Sequence, residues 1–169
     1  MAGLNEDGRH GDDAVAAEPL AADAGGPLKE GVLAQITGYH VALAAVATTE
    51  LFDRHVGRPM KLRKVEFSLL MLLQANGPQV PKRLAQELAL SAPALTQLLD
   101  TLQERGLLRR QRNPADGRSQ LIVPTDSGAE LSRRAGVAAA ESERELFKRL
   151  SPGEHAMLIE LLHKVYRAA

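Results

Sequence analysis

Residues 81–124 read PKRLAQELALSAPALTQLLDTLQERGLLRRQRNPADGRSQLIVP, and the order of patterns inside this stretch decides the fold. Pro81 to Leu88 carries Leu84, Ala85 and Leu88 on one helical face, with the proline tolerated in the first turn. A tight turn passes through Leu90. Ser91 then has the chemistry of an N-cap, Pro93 sits in the first turn, and Leu95, Leu98, Leu99 and Leu102 recur at helical spacing until Gly106 ends the run. Two short helices joined by a short turn make a helix-turn-helix. After Gly106 the period changes. Leu107 to Gln111 and Gln120 to Val123 are extended stretches around the turn formers Asn113-Pro114-Ala115-Asp116-Gly117, which predicts a β-hairpin. Its flanks are polar and basic, so its tip projects into solvent or toward a partner.

Working outward, Lys64 to Ala75 is a helix whose Val65, Phe67, Leu69, Leu70, Met71, Leu72 and Leu73 leave almost no polar face, the pattern of a buried element; Asn76-Gly77-Pro78 stops it. Farther upstream, Leu28 to Val56 reads as one long Ala-rich helix ended by Gly57 and Pro59. Its apolar positions (Leu33, Ile36, Val41, Leu43, Val46, Leu51, Phe52) are too many for one narrow stripe, so it packs on its own domain and on a partner chain. Downstream, Thr125 caps a long helix running to Leu150. Ser151-Pro152-Gly153-Glu154 is a capping box that starts a last helix striped by Met157, Leu158, Leu161, Leu162 and Val165. Residues 1–27 are rich in Gly, Ala and Asp, lack an apolar period and read as a disordered acidic tail, either a bland extension or an arm competing for a basic face.

The predicted organisation is therefore mainly α with one small hairpin. It comprises a tail (1–27), an N-terminal helix (28–60), a helix-turn-helix with hairpin (61–124) and C-terminal helices (125–169). The chain of 169 residues has a formal charge of zero, yet the tail sets six acids against Arg9, and residues 61–118 set ten basic residues against five acids. Charge thus concentrates on the helix pair and hairpin, as a duplex phosphate backbone requires. The absence of cysteine removes disulfides, thiolate ligands and thiol nucleophiles. His10, His40, His55, His155 and His163 are scattered without the i, i+4 pairing of a helical metal site, so no metal is expected. No Gly-rich phosphate loop, G-x-S-x-G elbow or H-E-x-x-H motif is present, and an enzyme is not expected. With neither a signal segment nor an apolar stretch of bilayer length, the expected compartment is the cytoplasm, with no membrane partner.

Ser91, Ala92, Pro93, Ala94, Thr96, Gln97 and Thr101 stand off the leucine face of the second short helix. They are small or polar, which lets a helix approach bases in the major groove, where Gln97 pairs with adenine and methyl groups meet thymine. Arg109, Arg110 and Arg112 on the hairpin fit backbone positioning, Arg118 fits the minor groove or a phosphate, and Asp116 orients a neighbouring basic side chain. The alternative is a module that binds only protein or that binds DNA without sensing an effector; a protein-binding hairpin has no need of this local excess of arginine.

Taken together, Leu84-Ala85, Leu90-Ser91, Leu98-Leu99-Asp100, Glu104-Arg105-Gly106-Leu107, Asn113 to Arg118 and Thr125-Asp126-Ser127-Gly128 resemble the core pattern of MarR-type regulators over Leu28 to Ala169. The resemblance implies a winged helix-turn-helix whose terminal helices form a homodimer on double-stranded DNA. It also implies release, most commonly of a repressor from a pseudo-palindromic operator, by a small aromatic or phenolic acid, with no other cofactor. Gln97 and Thr101 depart from the basic residues that many relatives carry at those positions. For the effector, Tyr39, His40, Arg63, Phe67 and Met71 are the candidate pocket residues, since a carboxylate wants Arg or His and a ring wants apolar walls.

Overall fold

A computed structural model describes residues 28–114, 116–117 and 119–167. The tail and Arg118 lie outside the described residues. Among those described, a 3-10 turn (Gly31–Gln35) precedes α1 (Thr37–Phe52), a π turn (Asp53–Gly57) and the short α2 (Arg58–Met60). Then follow α3 (Lys64–Asn76), α4 (Pro81–Glu87), α5 (Ala92–Glu104), strands β1 (Leu108–Arg112) and β2 (Gln120–Pro124), α6 (Asp126–Leu146) and α7 (Pro152–Arg167).

The single helix expected over Leu28 to Val56 is corrected in two ways. Extended backbone at Ile36 separates the 3-10 turn from α1, so the helix proper starts at Thr37. Gly57 and Pro59 do not stop it. The i→i+5 bonding of the π turn carries the backbone across Gly57, Pro59 sits in a first turn where it needs no N–H partner, and the stop is Lys61, in the left-handed conformation at φ 52°. The helix expected to reach Leu150 ends earlier, at Leu146.

Two apolar clusters share α3. Leu69 and Leu73 join Leu84, the four α5 leucines, Leu107, Leu108 and Ile122 in the first. Leu70 joins Val56, Leu62 and Ala135 in the second, and the half-buried Leu131 of α6 touches both. An element wedged between two clusters has no polar face to show, which is why its apolar residues run all round. On α5, by contrast, Leu95, Leu98, Leu99 and Leu102 are buried while the residues between them are not. Each such leucine contributes roughly 1.5–3 kcal/mol of burial.

The hairpin is antiparallel with Arg110 opposite Ile122. Gln79, in the turn between α3 and α4, adds a bridge: its N–H donates to the Ile122 carbonyl at 3.2 Å and its carbonyl accepts from Ile122 N–H at 2.8 Å. The hairpin is thereby anchored to the helix pair. At its far end, the Thr125 hydroxyl accepts from Gly128 N–H at 3.0 Å and donates to the Gly106 carbonyl at 2.7 Å, starting α6 directly on the α5–β1 turn. Gly128 is required there, because a Cβ would lie 1.8 Å from the Leu107 carbonyl oxygen.

Candidate nucleic-acid interface

The candidate surface is built on α4, α5 and the hairpin. Ser91 caps α5, its hydroxyl accepting from Ala94 N–H at 3.4 Å. Between α4 and α5, Ala89 takes the left-handed conformation at φ 50° and turns the chain sharply enough for the two helices to share one core. The leucine face then fixes what points away. Ser91, Ala92, Pro93, Ala94, Thr96 and Gln97 are all exposed, and Thr101 is half-buried. The Thr96 and Thr101 hydroxyls donate to the carbonyls of Ala92 and Gln97, each at 3.0 Å. These seven residues thus lie together on and beside the open face of one helix.

The hairpin arginines separate into different roles. Arg109 and Arg112 are exposed, and Arg112 Nε donates to the Gly117 carbonyl at 3.3 Å across the hairpin end. Arg110 instead reaches α5: it pairs with Asp100 at 2.6 Å and donates to the Gln103 side chain at 3.0 Å. Its guanidinium ties the wing to the outer flank of α5. Asp116 is exposed and partnered near the hairpin end. Ser119 N–H donates to its carbonyl at 2.9 Å, which closes the turn.

The expected effector residues do not come together as one group. Phe67 and Met71 line an open cleft of about 660 Å³ with Gln86, Glu87 and Tyr166, among others. Tyr39 and His40 lie on α1, edge to face, with His40 Nε2 3.1 Å from the Ala34 carbonyl, and neither lines that cleft. Arg63 sits elsewhere, beside α5, and ion-pairs with Glu66 at 2.9 Å.

Glu66 escaped the sequence reading. Its side chain is 3% exposed and is held by Arg63 N–H at 2.8 Å, the Arg63 guanidinium and Arg105 at 3.1 Å. The available signal was an acid three residues after Arg63, a spacing at which a carboxylate reaches back to the chain entering a helix. Arg105, 39 positions away, left no local signal.

Comparison with known proteins bears directly on this geometry. The MarR family model matches residues 60–119, from the end of α2 to the hairpin. The multiple antibiotic resistance protein MarR of Salmonella typhimurium is 31% identical over 108 residues, covering 63% of this chain and 75% of that protein. The chain belongs to the MarR family. Other relatives of this MarR-family regulator include the HTH-type transcriptional regulator YkoM of Bacillus subtilis, 35% identical over 99 residues; the match spans 59% of this chain and 64% of YkoM. The solved structure of the transcriptional repressor CouR bound to a 23-mer DNA duplex superposes with a TM-score of 0.76 at 32% identity, covering 83% of this chain and 99% of CouR. CouR bound to p-coumaroyl-CoA gives 0.72 at 30% identity with the same coverage. The architecture is thus that of a winged-helix MarR regulator, mainly helical with a two-stranded wing. No helix among the described residues is long and apolar enough to cross a membrane.

Proposed function

We propose that this MarR-family regulator is a homodimer that binds a pseudo-palindromic duplex and is released from it, as a repressor, by a small aromatic or phenolic acid. The observation that carries the reading is the exposed small and polar face of α5 together with a hairpin, packed against α5, that bears the exposed Arg109 and Arg112. A helix of that profile enters a major groove, and arginines on a wing grip the backbone and minor groove beside it. Arg118, read from the sequence, belongs to the same wing.

Dimerisation is supported by the apolar surface left open on the terminal helices. Val41 and Val46 of α1, and Met157, Leu161 and Val165 of α7, are about half exposed or more, which is unusual for so many large apolar side chains on the elements at both ends of a chain. Covered by a second copy, they set two α5 helices about 34 Å apart, one helical repeat of DNA. The effector reading is supported by the cleft of Phe67, Met71 and Tyr166, whose apolar walls suit a ring and which lies against the end of α4. CouR, similar to this chain, has been solved bound to p-coumaroyl-CoA. An acid wedged there shifts the two α5 helices out of register, with a coupling of about 1–3 kcal/mol.

The test is fluorescence anisotropy against the duplex upstream of the chain's own coding region and against duplexes selected from random sequence. Tight binding that falls steeply with salt, weakened by Arg109→Ala and by Arg118→Ala, supports the reading. Binding no tighter than to random duplex, with no sequence recovered by selection, overturns it.

A further inference from the structure

A cleft of about 210 Å³ lies between the start of α3 and the recognition helix α5, lined by Arg63, Val65 and Leu90 on one side and Ala94, Gln97 and Thr101 on the other. Ala94, Gln97 and Thr101 belong to the surface proposed to meet DNA. Arg63 therefore borders that surface from a different element, upstream of the helix-turn-helix.

Its guanidinium is not a loosely tethered surface charge. Nε donates to Glu66 Oε1 at 3.0 Å and Nη2 lies 2.9 Å from the same oxygen as an ion pair, while Glu66 Oε2 is occupied by Arg63 N–H at 2.8 Å and by Arg105 Nη1 at 3.1 Å. The carboxylate is 3% exposed, whereas the Arg63 side chain is 63% exposed. One buried anion thus holds an arginine that remains open to solvent. Among the described residues, Arg63 Nη1 carries no hydrogen bond. Two guanidiniums share a single carboxylate, so the cluster keeps an excess of one positive charge. Orienting an arginine in this way removes much of the rotamer entropy that a long side chain otherwise loses when it grips a phosphate.

We propose that Arg63, oriented by Glu66, is a DNA-phosphate-binding residue that clamps the backbone alongside the Gln97–Thr101 flank of α5; this rests on the duplex-binding reading above. Glu66 is the positioning residue. Because its second oxygen is bound to Arg105, the C-cap of α5, the phosphate clamp and the recognition helix are fixed to the same carboxylate.

The experiment measures anisotropy of the full chain on a selected duplex from low to high KCl, for the wild type, Arg63→Gln, Arg63→Lys and Arg109→Gln. Each phosphate contact contributes about 0.9 to the slope of log K against log salt, so Arg63→Gln, losing one contact per protomer, lowers a dimer's slope by about 1.8. Arg63→Lys, which keeps the charge, retains most of the slope. A wild-type slope in folded Arg63→Gln alongside a reduced slope in Arg109→Gln overturns the proposal and leaves the regulator reading intact. If Arg63→Gln then also loses release by aromatic acids, Arg63 is an effector anchor. Absence of salt-dependent duplex binding by the wild type sinks both. Should Arg63→Gln fail to fold, single methylphosphonate substitutions are scanned across the duplex with wild type and Arg63→Lys. A smaller penalty at one phosphate per half-site in Arg63→Lys supports the clamp, and identical profiles overturn it.

Discussion

Gly128 and Ala89 are the residues at which backbone geometry leaves least choice. A methyl group at Gly128 meets the Leu107 carbonyl oxygen at 1.8 Å, and both partners are backbone, so neither yields without moving the start of α6 or the start of the wing. Gly128→Ala is expected to lose about 3 kcal/mol or more, read from urea unfolding. Ala89 shows the opposite situation. It holds a left-handed conformation with a Cβ, on an exposed turn, so Ala89→Gly removes a steric cost of about 1–2 kcal/mol while adding unfolded-state entropy. The expected net result is stabilisation of up to about 1 kcal/mol in the same assay. Both conformations follow from how neighbouring elements meet. The sequence marks Gly128 only as one residue of a motif and does not mark Ala89 at all.

At the scale of elements, the wing is held to α5 by Arg110, whose ion pair with Asp100 is 2.6 Å long while the two side chains are 25% and 52% exposed. A partly exposed pair of this kind contributes about 1 kcal/mol or less to folding. Asp100→Asn is therefore expected to leave the unfolding midpoint nearly unchanged and yet weaken duplex binding several-fold, because the wing no longer has a fixed angle to the helix. Anisotropy and thermal unfolding on one sample separate the two effects. At the other end of the chain, Ser151 and Glu154 complete the foreseen capping box: Ser151 N–H donates to the Glu154 carboxylate at 2.7 Å and the Ser151 hydroxyl at 2.8 Å. The backbone N–H first, and the hydroxyl second, hold the Glu154 carboxyl below its ordinary value. A depressed folded-state value means that the cap's contribution is present above the ordinary glutamate range and is lost as pH falls through the lowered value. Carboxyl-carbon NMR titration is expected to show Glu154 titrating below the ordinary glutamate value, and Ser151→Ala is expected to return it part-way.

At the scale of the whole molecule, α1 and α7 are satisfied helices with unsatisfied faces. The described chain leaves Leu161 and Val165 of α7, and likewise Val41 and Val46 of α1, about half exposed or more. A charge on such a face costs little in a monomer and much in a dry interface. Leu161→Glu is thus expected to give a folded monomer by sedimentation velocity, with duplex affinity reduced by several orders of magnitude, since a single protomer engages only half of a palindrome. A dimer that persists with wild-type affinity places the interface elsewhere.

Much of the fold and part of the candidate site are legible in residues 81–124, because caps, turns and apolar periods act over a few positions. Ser91 as a cap, the α5 leucine face, the hairpin around Asn113 to Gly117 and the capping box of α7 are all encoded locally. The sequence by itself thus determined a helix-turn-helix followed by a basic hairpin, and with it the family. Tertiary structure alone decided which side chains share a partner. Gln79 joins the hairpin at Ile122, Arg110 turns inward to Asp100, and Glu66 binds an arginine 39 residues away. Such pairings depend on which surfaces the packed leucines bring within about 3 Å, a distance that no periodicity carries. For the same reason Arg63, which the sequence offers only as a candidate effector residue, comes to line a cleft with Ala94, Gln97 and Thr101 of α5 only through the tertiary fold.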